Sequence, residues 1–316
     1  MDENNQRLAI YEMSINARVA WQAQSLSNAG DKGSNRRLPR RQMLADGAVT
    51  DACSGNILKH HHASLLAEYL EAEGCTLCPA CQAGDPRRAA ALLERPEYKG
   101  ITVESILSEC ALCDAHGFLI PAKNAGLEAD TEARQRMSKH TLVDFSYALA
   151  LPNRHHETEQ LHTRSGASKE EGQMLMKMTA RSGEYALCIR YHCVGIGADT
   201  ERRHLVVANA EERLKRHQAI LRALRDSLIS PKGALTATML PHLTGLVGAI
   251  VISRCAGRVP IYSALEDDFI VRLQAMASDT CQVWPFETVD TFYQHMNHLI
   301  TVSDPLQPLV HKLGAS

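Results

Sequence analysis

Two cysteine pairs, Cys78-Pro-Ala-Cys81 and Cys110-Ala-Leu-Cys113, carry the clearest chemistry in the chain. A Cys-x-x-Cys knuckle projects both sulfurs from one short turn, so two knuckles supply the four thiolates of a tetrahedral metal, and an all-sulfur set suits structural zinc. Cys75 is an alternative ligand. The plainer reading is free thiols in a loop-rich segment. Of the 10 cysteines, those at positions 75, 78, 81, 110 and 113 crowd together, which favours metal over disulfides.

A second constellation runs from Ser25 to Arg41. Lys32, Arg36, Arg37, Arg40 and Arg41 are opposed only by Asp31, and Gly30 and Gly33 let the backbone approach a phosphate. A solvated loop has the same composition. Position favours an anion, because Ser54-Gly55 opens a helix whose free amides and dipole attract negative charge, with Lys59 and His60 one turn further on. The consecutive His60, His61 and His62 point in different directions on a helix and cannot converge as metal ligands. His242 and Thr244, within Leu240-Pro-His-Leu-Thr-Gly-Leu-Val-Gly248, make a hydrogen-bonding pair that reads on its own as a structural turn.

No Walker loop, nucleophile elbow, zinc-protease motif or dinucleotide fingerprint is present, so the sequence advertises no catalysis and no catalytic residue is assigned. The 316 residues carry 34 Lys plus Arg against 36 Asp plus Glu, so any polyanion must meet a local patch. With 5% aromatics and no RNP1 signature, base stacking is not the main mode of binding. The start is polar and the longest apolar run, Leu243 to Ile252, is too short to span a bilayer, so a cytoplasmic protein is expected.

Hydrophobic periodicity gives the elements that must position these groups. Apolar residues at every odd position from Ala9 to Trp21 predict one long, half-buried strand, followed by a Gly/Asn-rich loop. Ser54 caps a helix over 56–73, with Ile57, His61, Leu65 and Tyr69 on its stripe and Gly74 as its stop. Alternation over 143–149 and 184–192 predicts two more strands, 211–229 a second helix, and 246–253 a last strand. The order strand, helix, strand, strand, helix, strand is that of an α+β, ferredoxin-like or RRM-like palm, a βαββαβ unit formed by 1–73 and 141–316. Residues 74–140 are a cysteine-rich insertion, and 151–182 a thumb-like hairpin flap whose returning arm, with Met174, Met176 and Met178 alternating, is itself a strand.

Taken in order, several segments resemble the backbone subunit of type I CRISPR Cascade surveillance complexes, the seventh Cas family in its DevR-like branch. They are Ser14-Ile-Asn-Ala-Arg18 with Leu26-Ser-Asn-Ala-Gly30, Ser54-Gly-Asn-Ile-Leu-Lys-His60, Arg136-Met-Ser-Lys-His-Thr-Leu-Val-Asp-Phe-Ser-Tyr147, Ser182-Gly-Glu-Tyr-Ala-Leu187 and Pro241-His-Leu-Thr-Gly-Leu-Val-Gly248. The resemblance implies a non-catalytic protein whose copies stack head to tail along a guide crRNA, beside other Cascade subunits, holding the phosphates and leaving the bases to pair with target DNA. It places Asn28, Lys32, Asn35, Arg36, Arg37, Ser54, Lys59 and His60 in the guide groove, with Arg136, Ser138 and Lys139 before the second strand. Arg164, Gln173 and Met174 on the flap join the RNA-contacting set, as do His242 and Thr244, with Met174 or Met176 a candidate wedge between bases. Two rivals remain. One is a metal-dependent ribonuclease of an RNA-targeting CRISPR complex, using Asp31; the other is a zinc-containing protein-interaction module without RNA.

Overall fold

The computed structural model describes residues 7–32, 36–98, 100–121, 136–165 and 173–306. The chain begins with β1 (Leu8–Ile10), β2 (Glu12–Gln24), β3 (Asn28–Lys32), β4 (Arg36–Pro39), β5 (Arg41–Met43), β6 (Val49–Cys53) and α1 (Gly55–Ala72). The cysteine-bearing segment follows as α2 (Pro79–Gln82), α3 (Ala89–Leu92), α4 (Val103–Glu109), α5 (Ala111–His116), β7 (Phe118–Ile120) and β8 (Met137–Lys139). Next come β9 (Val143–Phe145), β10 (Ala148–Ser165), β11 (Gln173–Tyr191), β12 (Ala198–Asp199), β13 (His204–Leu205) and α6 (Ala210–Ile229). β14 (His242–Ser253), α7 (Phe269–Gln274), β15 (Cys281–Phe286), α8 (Val289–Val302) and β16 (Ser303–Pro305) complete the described chain.

The main sheet runs β15-β14-β2-β11-β10-β6-β5 with every neighbour antiparallel. β9 lies on the β10 side of β11, and the β3–β4 ribbon joins β11 where Arg36 meets Lys177 in parallel register. The four strands expected from alternation therefore stand in the order last, first, third, second. Helices α1 and α6 pack on each other, each within one residue of the bounds read from the sequence. Ser54 Oγ accepts from Ile57 N, and Asn209 Oδ1 accepts from the amides of Glu211 and Glu212, two acids that also complement the helix dipole.

Several expectations need correction. The strand predicted from Ala9 to Trp21 is broken at Tyr11, because β1 leaves the main sheet to pair with β16. Nor is it half-buried: Glu12, Ser14 and Asn16 are as buried as Met13 and Ile15. The segment after β14 covers that face, where a second apolar cluster of Val259, Ala264, Phe269 and Leu273 packs on Ala249 and Val251. Ser14 Oγ donates to Pro260 O, and Arg18 donates to Ala264 O and Leu265 O. The Gly/Asn-rich loop contains strands β3 to β6. On α1 the most buried line is Leu58, His62, Leu66 and Leu70, one position beyond the stripe read from apolarity, because α1 faces α5 as well as α6 and so buries a histidine. The strand at 143–149 is interrupted at Ser146, whose hydroxyl takes the Cys188 N–H in place of a regular ladder. The stretch 151–182 has both arms in strands, each continuous with the sheet. No described helix is long and apolar enough to cross a membrane.

The insertion does not stand apart from the rest. Leu77, Leu92, Ile106 and Leu107 share one buried cluster with Ile15, Leu66 and Leu224. What joins the two parts polarly is Asp114 on α5. Its fully buried carboxylate accepts from Lys139 Nζ at 2.6 Å, Arg216 Nη1 at 3.1 Å and Gly197 N at 2.8 Å. Lys139 also donates to Gly195 O and Ala198 O, so this lysine, expected to touch RNA, has its three donors engaged inside the protein. Beside this knot, His62 Nδ1 and His116 Nε2 meet at 2.8 Å between α1 and α5. His217 is held by Tyr191 Oη and Ser303 Oγ, both at 2.9 Å.

Asp114→Ala leaves Lys139 buried without its anion and Arg216 with Glu212 alone, so chemical denaturation should register a loss of roughly 3–5 kcal/mol; a loss under 1 kcal/mol would show the carboxylate to be dispensable. Burial pushes His62 and His217 down to about 3 and His116 well below its ordinary value, so all three stay neutral when folded and take up protons only on unfolding. Their stabilisation is present above pH 6.5 and is lost as pH falls toward 3, by up to ~1.4 kcal/mol per pH unit for each proton. Thermal melts should be level from pH 7.5 to about 6.5 and then fall to pH 5.0, in a range where Glu12, itself held below its ordinary value, does not yet titrate. A flat profile would refute the neutral-histidine reading.

Candidate metal centre and nucleic-acid interface

Each cysteine knuckle is built the same way. Cys78 caps α2 and Cys81 lies three residues in; Cys110 caps α5 and Cys113 lies three residues in. A cap residue and the third helical residue face the same end of a helix, which brings each pair of sulfurs together. The four Sγ atoms lie within 4.8 Å of one another, Cys81 to Cys113 at 3.5 Å and Cys78 to Cys113 at 3.9 Å, and all four residues are buried. Hydrogen bonds from Cys110, Cys113 and Cys81 draw Cys78 toward the thiolate, whereas its sulfur neighbours, Cys110 first, push Cys113 up. Four soft donors in a dry site fit a metal held by protein alone. Cys75 stands outside the group: its thiol reaches Glu212 Oε2 at 3.8 Å, and burial with that carboxylate pushes it up to about 11. Glu104, Asp199 and His204 also converge, but Arg202 pairs with the first two, making this an ion-pair knot.

The basic ribbon is anchored by buried charge. Arg181, fully buried, donates to Asp51 Oδ1 at 2.6 Å and Ser27 O at 2.8 Å, while Tyr185 Oη and Gln24 Nε2 take the other Asp51 oxygen. Ser27 Oγ accepts from Arg40 Nε and from Ser54 N, and Arg40 also holds Asn28 O. One network therefore fixes the root of β3, the end of β4 and the cap of α1. Arg40, counted among the free cations of the loop, is spent on this tie.

Within that frame the expected RNA-contacting residues divide. Ser54 and Lys59 come together, lining a cavity of about 250 Å3 with Gly55, Asn56, Thr141 and Asp144. Gly55 is required there, since a Cβ would meet Phe145 O at 2.5 Å. Burial, then the nearby Arg88 guanidinium, hold the Lys59 ammonium below its ordinary value. His60 is exposed one residue on, and Asn28 Nδ2 is buried without a hydrogen-bond partner. Lys32, Arg36 and Arg37 are placed by their backbone on the β3–β4 ribbon, Lys32 opposite Arg36; Asn35 lies outside the described residues. Arg164 pairs with Met174 and Ser165 with Gln173 at the far end of the β10–β11 hairpin, away from the α1 cap, while Met176 on the same arm is buried. Arg136 is exposed, and Ser138 donates to Glu201 Oε1 at 2.9 Å. His242 and Thr244 are exposed at the start of β14, beside the end of β2.

A larger cavity, about 860 Å3, abuts the first through Thr141 and Asp144 and was not anticipated. Its arginines are mostly paired, Arg190 with Asp144 and Arg258 with the buried Glu12. The sequence presents Arg190 only as the polar face of a strand, so periodicity gives no signal for it.

Comparison with known proteins bears on the whole chain. The family described as CRISPR-associated negative auto-regulator DevR/Csa2 matches residues 15–271. No curated protein matches. Among solved structures, a chain of a "CRISPR RNA-guided surveillance complex, pre-nicking" has a TM-score of 0.50 at 11% identity, over 92% of this chain and 99% of that one. A chain of a "CRISPR RNA-guided surveillance complex" gives 0.48 at 10% identity, over 92% and 98%. At such identity the first of these speaks for a shared fold. The family match, spanning the basic ribbon, the α1 cap, the cysteine cluster and β14, is decisive: the chain belongs to the CRISPR-associated DevR/Csa2 family.

Proposed function

We propose that this protein is a non-catalytic, crRNA-binding backbone subunit of a type I Cascade complex in the cytoplasm. Copies of it stack along the guide, together with other Cascade subunits, and present the guide's bases to target DNA. Family membership over residues 15–271 carries this reading. It is supported by the four core strands, whose order of last, first, third, second in antiparallel sense is that of a ferredoxin-like, RRM-like palm, with β10–β11 as the thumb-like arm. The local chemistry agrees: a ribbon rich in arginine stands beside a capped helix N-terminus, and with 5% aromatics the protein grips phosphates rather than stacked bases. Near-zero net charge is no obstacle when one modest groove is repeated along a polymer.

Replacing both Arg36 and Arg37 by Ala should weaken binding of every guide sequence by a similar factor and make the salt dependence shallower by about 0.7 per lost phosphate contact on a single strand. A loss confined to some sequences would refute a backbone-gripping role. The ribonuclease alternative is tested in the assembled complex with complementary RNA and magnesium, where cleavage abolished by Asp31→Ala would overturn the non-catalytic assignment. Purification as a nucleic-acid-free monomer would point instead to a protein-interaction module.

The cysteine cluster we assign to structural zinc, held by Cys78, Cys81, Cys110 and Cys113, which fixes α2 against α5 and supplies no reaction step. Elemental analysis should give one zinc per chain, and chelation or Cys113→Ser should lower the melting temperature as well as the metal content. A metal-free preparation with an unchanged melting temperature would end this assignment.

A further inference from the structure

We propose that Arg88, from the cysteine-bearing segment, joins Lys59 of α1 in gripping one phosphodiester group of the bound strand. This rests on the RNA-binding reading above and adds to it a residue contributed by the insertion.

Two adjacent arginines differ in their partners. Arg87 is caged by carboxylates: its Nε and Nη2 reach Asp85 and its Nη1 reaches Glu94 at 2.6 Å. Arg88 has no carboxylate partner among the described residues. Its Nη1 donates to two main-chain oxygens, His116 O at 3.4 Å and Gly117 O at 3.2 Å, which leaves Nε and Nη2 without partners among the described residues. Those carbonyls end α5, so the guanidinium is carried to the flank where α5 meets α1. Lys59 stands on that same flank. It is one turn before His62 on α1, and His62 touches His116, whose carbonyl Arg88 holds.

Both cations are half-buried and the Arg88 guanidinium acts on the Lys59 ammonium, an arrangement that is unfavourable unless an anion completes it. Among the described residues no carboxylate pairs with either cation. Asp144 is the acid facing Lys59, but both Nε and Nη2 of Arg190 engage it, at 3.1 and 2.5 Å. Lys59 makes no hydrogen bond or ion pair among the described residues, and it lines the cavity beside the hydroxyls of Ser54 and Thr141. A singly charged phosphate oxygen pair bridging Lys59 and Arg88 supplies the missing charge, and Arg is suited to it because its remaining donors form a fork.

The test uses the full chain and a labelled single-stranded RNA of mixed sequence, titrated at several salt concentrations. The variants are Lys59→Ala, Arg88→Ala, Arg88→Gln and the double change at Arg36 and Arg37, each with a thermal melt. Arg88→Gln keeps a donor for the two carbonyls and deletes the charge, so it separates a phosphate contact from a structural cap. The proposal expects Arg88→Gln to weaken binding several-fold for all sequences, to flatten the salt slope by about 0.7 and to leave the melting temperature in place. An unchanged salt slope, with binding lost only as far as the melting temperature drops, would make Arg88 a cap and overturn the proposal. Normal binding by both Arg88 variants, while the ribbon and Lys59 variants lose affinity, would overturn the proposal and leave the RNA-binding reading standing. If no variant changes binding, both fail.

Discussion

The structure depends on one buried charge. Asp114 has no access to solvent, and two cations and an amide converge on it from three separate stretches of chain: Lys139 from β8, Arg216 from α6 and Gly197 from the turn before β12. Such a carboxylate is tolerable only because every one of its neighbours is in place. Once they are, the cysteine segment, the second helix and the end of the sheet have a single relative position. Asp114 also follows Cys113 directly, so whatever fixes the sulfur cluster fixes the anchor beside it.

From that anchor a line of contacts reaches the basic face. α5 carries the cluster at its start and His116 at its end; His116 meets His62 on α1; and α1 presents Lys59 beside its own capped N-terminus. A second network, around Arg181 and Asp51, ties the ribbon to the same cap through Ser27. Both networks end on α1, one at its cap and the other at His62. A short helix start is thereby held rigidly although it borders a cavity, which is what a contact with a long, flexible polymer requires, since loose donors would have to be ordered at each binding event.

Much of this was legible because it is local. Ser54 announces its helix, and the knuckle spacing names the four sulfurs that meet. What escaped is set by partners far along the chain. Glu12, Ser14 and Asn16 look like a solvent face until the segment around Val259 to Phe269, some 250 positions away, lies over them. Lys139 looks like a surface cation because nothing in its neighbourhood predicts Asp114. The stripe on α1 is displaced by one residue because a histidine, polar by type, is buried against another histidine. The strands β3 to β6 were hidden by glycine and arginine, whose composition signals loop even where a ladder forms.

The β10–β11 arm is continuous with the sheet: β11 runs unbroken from Gln173 to Tyr191, and its last three residues lie between β2 and β9. The irregularity in its partner, between Ala150 and His155, is met by Gly183, where a Cβ would stand 2.7 Å from that of His155. Arg181 pins the same level from inside. Mechanically this is a beam clamped at its root rather than a swinging gate. Load applied along its length is delivered to the central strands, so the spacing between whatever it touches and the sheet is dictated by the stiffness of a two-stranded ribbon.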